Sequence, residues 1–184
     1  MSGSSRVVGA SDGRSTHLTV SCQSVSPLEH LMSDAILRHR TPAHLEASWA
    51  REFSEAIEVP ASARTITLSG VGALPSNPEA EPHTVSYFGN LQTQTKSVLD
   101  QIEGILEGKG YALGDVIAVQ ALFVAEPGGN GAPDYDSFSS VYADYFGSAA
   151  QPHLPTRTRA QVVGLVEPGW LVEVTVTAAK VVEV

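Results

Sequence analysis

Residues 116–125 read VIAVQALFVA, and this stretch decides the fold. Apart from Gln120 it is apolar on both faces, the pattern of a strand buried inside a sheet with both sides covered. Working outward, residues 90–110 repeat apolar side chains at helical spacing. Leu91, Thr95, Val98, Ile102, Ile105 and Leu106 form one stripe, while Lys96, Asp100, Glu103 and Glu107 face water. Gly108 and Gly110 are suitable stops. On the other side, 126–132 (EPGGNGA) is a loop and 134–146 a second helix capped by Asp134, with Phe138, Val141, Tyr142 and Tyr145 facing inward. Two strands precede the first helix, over 53–59 and 65–71, with Pro60-Ala61-Ser62 as the turn between them and a Pro/Asn/Glu-rich loop over 75–83 after them. Two more, 157–166 and 170–182, close the chain around Glu167-Pro168-Gly169. The order β-β-α-β-α-β-β predicts an α+β fold: a mixed sheet with two helices on one face. No third long helix is available for the other face, so burial by other subunits is the simplest solution.

The 184 residues suit one domain with some to spare. Eleven Lys+Arg against 20 Asp+Glu give a net charge of −9, which argues against nucleic acid and against an anionic membrane surface. The single Cys22 excludes an internal disulfide and any multi-cysteine metal site, and the six histidines show no HxH or HExxH spacing. The sequence therefore shows no zinc-ligand pattern. Residues 1–45 read as a leader, Ser/Gly-rich at the start, with one short helix over 27–40 (Leu28, Leu31, Ile36 and Leu37 on one face) stopped at Thr41-Pro42. Residues 46–184 form the main domain. The start of the chain lacks the apolar segment of a signal peptide, and no apolar run reaches membrane-helix length, so a cytoplasmic location is expected.

The unusual feature is Arg157 and Arg159 within LPTRTR. Two residues apart on a strand, their side chains leave the same face, and guanidinium suits a carboxylate through two parallel hydrogen bonds. Pairing with nearby Asp or Glu is the ordinary alternative. Glu173, among β-branched neighbours, is either solvent-facing or held in a pocket that tunes its basicity. A tight hairpin at Pro168-Gly169 puts residue 164 near 173. Arg157 is then seven residues further along, about 23 Å from Glu173 at ~3.3 Å per residue. The two meet at a small-molecule site only across a subunit interface.

Thr67-Leu68-Ser69-Gly70, the helix over 90–110, Leu113-Gly114-Asp115-Val116, the helix around Tyr135, Leu154-Pro155-Thr156-Arg157-Thr158 and Leu171-Val172-Glu173-Val174 occur in the order of the Rid (reactive intermediate deaminase, YjgF-like) family, which this chain resembles from Phe53 to Lys180. The resemblance implies a chorismate-mutase-like fold assembled as a homotrimer with three inter-subunit sites. It implies hydrolytic deamination of a 2-enamine or 2-imine carboxylic acid, a reaction expected to need neither metal nor organic cofactor. Arg157 would bind the substrate carboxylate, Glu173 would position the water, and Ser69 and Gly70 would line the pocket. Phe53, Ser139 and Tyr142 join the substrate-binding set. Phe53 stands where a hydroxylated aromatic is common, Ser139 near a family Asn, Val71 at a common Gln, and Arg159 at a place commonly small. Arg159 either adds a second anion contact, favouring an aminomuconate-like substrate with two acidic groups, or pairs with an acidic neighbour and narrows the pocket. The alternatives at the level of function are a specialised hydrolase or tautomerase on this fold and a non-catalytic trimer that binds small carboxylates.

Overall fold

The computed structural model describes residues 34–182; the Ser/Gly-rich start, Cys22 and residues 27–33 of the expected helix lie outside them. Within the described part that helix gives way to a strand. β1 (Leu37–His39) pairs antiparallel with β2 (Ala56–Glu58), Leu37 opposite Glu58, so Leu37 is half-buried in a two-stranded ribbon. Thr41-Pro42 starts a helix where a stop was expected. The Thr41 side chain accepts from the His44 amide, and Pro42 opens α1 (Pro42–Glu46), where its missing N–H costs nothing. A 3-10 turn, Ser48–Glu52, follows.

The expected strand over 53–59 is thus shorter, and it joins the ribbon instead of the main sheet. Its first residues are taken by another partner: Ser54 donates its amide to the Pro155 carbonyl (2.9 Å) and its hydroxyl to the Leu154 carbonyl (2.6 Å).

The main sheet takes β3 (Ala63–Thr67), β4 (Val71–Gly72), β5 (Val116–Phe123), β6 (Thr156–Gln161) and β7 (Val172–Val181), in the order β3-β7-β5-β6 with β4 also on β7. Between them come α2 (Val85–Phe88), α3 (Leu91–Glu107) and α4 (Tyr135–Tyr145). β5 has a strand on each side, and the face it turns to the helices carries the buried Val116, Val119, Ala121 and Phe123, while Gln120 is exposed on the other. β6 runs parallel to it, as a crossover through α4 requires, and β7 runs antiparallel. This corrects the closing hairpin: β6 and β7 are not neighbours, because β5 lies between them.

Asn90 caps α3, its side chain accepting from the Thr93 amide (2.9 Å). Val98, Leu99, Ile102 and Leu106 are fully buried against Val116, Val119, Phe123, Val172 and Val174 of the sheet and Phe138 and Tyr142 of α4. Each such aliphatic side chain contributes about 1.5–3 kcal/mol. Ile105, expected in the stripe, is 38% exposed, whereas Gln94, three turns earlier on the same edge, is fully buried. Gln94 lies under the β6–β7 connection. Its Nε2 donates to the Gly89 and Gly169 carbonyls and its Oε1 accepts the Leu171 amide (2.8–2.9 Å). Ile105 has no such cover. On the opposite sheet face Thr65, Thr67, Gln120, Glu173, Thr175 and Thr177 stay half-buried or exposed. No helix among the described residues is long and apolar enough to cross a membrane.

Candidate functional site

Register decides where the two arginines point. Arg157 lies opposite Val119 and Arg159 opposite Ala121, both buried residues of β5, so both guanidiniums leave the sheet toward α4. The Arg157 guanidinium carbon sits 4.8 Å from the Tyr142 ring centroid and 5.2 Å from that of Phe53, and its side chain is 1% exposed. Phe53 reaches this position because Ser54 is bonded to the residues that lead into β6. Aromatic faces hold a desolvated cation for about 2 kcal/mol, but they supply no hydrogen-bond acceptor in the guanidinium plane.

The charge is met by Glu52, the last residue of the 3-10 turn. Its Oε2 lies 2.8 Å from Arg157 Nη2. The Ser139 hydroxyl of α4 donates to the same oxygen (2.9 Å), and Arg159 Nη1 donates to Ser139 Oγ (3.0 Å). Arg159 also lies 5.3 Å from the Tyr135 ring. Burial pushes the Glu52 carboxyl up, but the Arg157 ion pair and the Ser139 hydroxyl outweigh it and hold the group below its ordinary value. Burial, then the neighbouring Arg157 charge, lowers Arg159, with Glu52, Tyr135 and Asp136 acting against them. The Tyr142 hydroxyl is raised, chiefly by burial. Despite the nearby carboxylate, Arg157 Nη1 and Nη2 and the Tyr142 hydroxyl make no hydrogen bond. Buried donors of this kind cost about 1–3 kcal/mol each when left unmade, and they mark places where a ligand is accommodated.

A second group lies on the other side of the sheet. Glu173 pairs in register with Leu122, away from the helices. Ser69 and Gly70 follow β3, and β4 then pairs with β7 at Val174 and Glu173. A Cβ on Gly70 would overlap the Glu173 carboxylate, so a larger residue there would make that side chain shift.

The family model described as Endoribonuclease L-PSP matches residues 45–180. The chain belongs to this family, the YjgF/Rid proteins. A RutC family protein of Sulfurisphaera tokodaii is 30% identical over 128 residues, 70% of this chain and 87% of that protein. A RutC family protein of Pyrococcus horikoshii is 35% identical over 74 residues, so the match spans 51% of that relative's length. The crystal structure of YyfB from Yersinia pestis, described as a protein of unknown function of the conserved Rid family, has a TM-score of 0.57 at 22% identity, covering 78% of this chain and 98% of that one. That likeness is one of fold.

In this Rid-family chain the residues singled out from sequence therefore fall into two groups. Phe53, Ser139, Tyr142, Arg157 and Arg159 converge between α4, β6 and the 3-10 turn. Ser69, Gly70 and Glu173 converge on the opposite face. The 23 Å separation expected from a hairpin is replaced by another geometry. Arg157 registers with Val119, and Val119 with Val176, so three residues and two strand spacings put the Arg157 and Glu173 backbones roughly 14 Å apart. Their side chains leave opposite faces. Sequence reasoning missed Glu52. Its only signal is an acidic residue directly before Phe53, near two arginines that need a counter-charge. A broad groove of about 1060 Å³ between α3 and α4, lined by Leu74, Lys96, Asp100, Tyr145 and Gln151, contains none of the expected site residues.

Proposed function

We propose that the chain is an enzyme that hydrolyses a reactive 2-imine or 2-enamine carboxylic acid to a 2-oxo acid and ammonia, as a homotrimer with sites between subunits. The observation that carries this reading is Arg157: a guanidinium 1% exposed, lying against two aromatic rings, with Nη1 unpartnered and Nη2 met only by the Glu52 carboxylate. A planar carboxylate is the ligand that satisfies such a fork. Because Glu173 leaves the opposite sheet face, a site that uses both residues takes Arg157 from one protomer and Glu173 from its neighbour. Placing the Glu173 face against another protomer would also cover the half-exposed side of the sheet.

The chemistry needs orientation and proton transfer. Arg157 holds the carboxylate, and Glu173 accepts a proton from a water as its oxygen bonds to the imine carbon. The imine nitrogen takes up a proton to give a carbinolamine. The amino nitrogen takes up a second proton from water, the C–N bond breaks, ammonia leaves with the bonding pair, and the carbinol O–H proton passes to water as the carbonyl forms. An enamine first gains a proton at its β-carbon to become the imine.

A second reading, a specialised substrate with two acidic groups, is favoured by Arg159. It sits beside Arg157, and its direct hydrogen bond goes to a hydroxyl, not to a carboxylate. Ammonia release from enzymatically generated 2-imino acids tests both readings. Arg157→Ala and Glu173→Gln are each expected to lose about 10²–10⁴-fold in rate, and Arg159→Ala to lose activity on dicarboxylate imines more than on monocarboxylate ones. Equal hydrolysis by wild type and Arg157→Ala removes the deaminase reading; equal preference in wild type and Arg159→Ala removes the second-anion role. The family's printed description as an endoribonuclease is less attractive here, since a net charge of −9 opposes binding to a phosphate backbone.

A further inference from the structure

Arg157 is almost wholly enclosed, and what closes it is a side chain of this chain. Glu52 is the outermost member of the network, its side chain 36% exposed against 1% for Arg157 beneath it. A ligand carboxylate approaching from solvent meets Glu52 first, and it is repelled by a group of its own charge and chemistry.

We propose that Glu52 is an internal competitor for the carboxylate-binding place on Arg157, displaced when a substrate carboxylate binds; this rests on the reading of Arg157 as the carboxylate anchor. Three features make Glu52 displaceable. First, its hold on Arg157 is a single close approach at 2.8 Å that leaves both Nη1 and Nη2 without a hydrogen bond, whereas a free carboxylate can align with the fork and make two. Second, the Ser139 hydroxyl, which donates to Glu52, can donate to an incoming carboxylate in its place while Oγ still accepts from Arg159 Nη1. Third, the backbone need not move. Ala50 is fully buried, and Ser54 is bonded to Leu154 and Pro155, so the turn is anchored on both sides while the Glu52 side chain rotates toward water.

Displacement also sets specificity. With Glu52 in place, two guanidiniums face one carboxylate. With it rotated out, Arg157, Arg159 and the Ser139 hydroxyl all face the ligand. An anion that engages both arginines offsets the lost ion pair better than one that engages only Arg157. Glu52 thus raises the affinity threshold against simple monocarboxylates.

The test is equilibrium dialysis of ¹⁴C-labelled propanoate and butanedioate against the full-length protein, for wild type, Glu52→Gln, Glu52→Ala and Arg157→Ala. Thermal melts establish which variants are folded, and one folded Glu52 variant suffices. The expected result is about tenfold tighter propanoate binding when Glu52 is neutralised or removed, a similar gain for butanedioate, which binds more tightly throughout, and loss of binding in Arg157→Ala. Arg157-dependent binding that is as tight in wild type as in the folded Glu52 variants, or tighter, overturns the competitor while leaving the anchor standing. Absence of Arg157-dependent binding in every protein overturns both.

Discussion

At the scale of single residues, the Arg157 cluster couples stability to pH. The folded state holds the Glu52 carboxyl below its ordinary value of 4.5, so the native protein favours the ionised form more than the unfolded chain does. The stabilisation is therefore fully present above the ordinary carboxylate range. It is lost as pH falls through the lower, folded value. The difference in unfolding free energy between wild type and Glu52→Gln should be constant near neutral pH and shrink as the solution is acidified below about pH 4.5. Denaturant melts of both proteins across that window measure it; a difference that grows on acidification contradicts the ion pair. Sequence showed that two arginines share a strand face, because alternation along a strand is a local rule. It did not show Glu52, since that carboxylate comes from a turn more than a hundred residues earlier in the chain and is placed by the hydrogen bonds of Ser54 to Leu154 and Pro155.

At the scale of elements, the β6–β7 connection depends on one buried amide. Gln94 on α3 uses Nε2 for the Gly89 and Gly169 carbonyls and Oε1 for the Leu171 amide, and thereby joins the helix to the end of the loop that starts β7. Gly169, at φ +90, fits only because it has no Cβ, which would strike the Thr84 backbone. Replacing Gln94 by Leu should keep the volume while leaving one buried and two part-buried backbone groups without this partner. The expected cost is about 2–4 kcal/mol in denaturant unfolding, and a cost under about 0.5 kcal/mol would mean that the loop finds other partners. The apolar character of residues 116–125 was enough to make β5 interior. The neighbours of β5 were not legible. A turn at Pro168-Gly169 suits a hairpin as well as it suits a connection that steps across β5, and only the competition of whole strands for β5's two edges selects the second.

At the scale of the molecule, the two residue groups on opposite sheet faces make assembly the decisive question. If sites are composite, Arg157→Ala and Glu173→Gln should complement each other. Subunits mixed by co-refolding should form sites that take an intact arginine from one parent and an intact glutamate from the other, about a quarter of the total at equal mixing. Ammonia release by the mixture, well above the sum of the separately inactive parents, is the expected result. Sedimentation equilibrium should give three times the 19.4 kDa chain mass. Inactivity of a mixture whose subunits demonstrably exchange rules out a shared site.

By itself the sequence determined the two long helices, the interior place of β5, the common face of Arg157 and Arg159 and the membership of the family, because each rests on short-range periodicity or on residues kept in order along the chain. The tertiary structure decided that β6 and β7 lie apart, that Phe53 and Tyr142 lie against the arginine, that Glu52 pairs with it, and that Glu173 faces away. These depend on which distant segments win each other's hydrogen bonds and buried surface, and that outcome is a property of the packed chain as a whole.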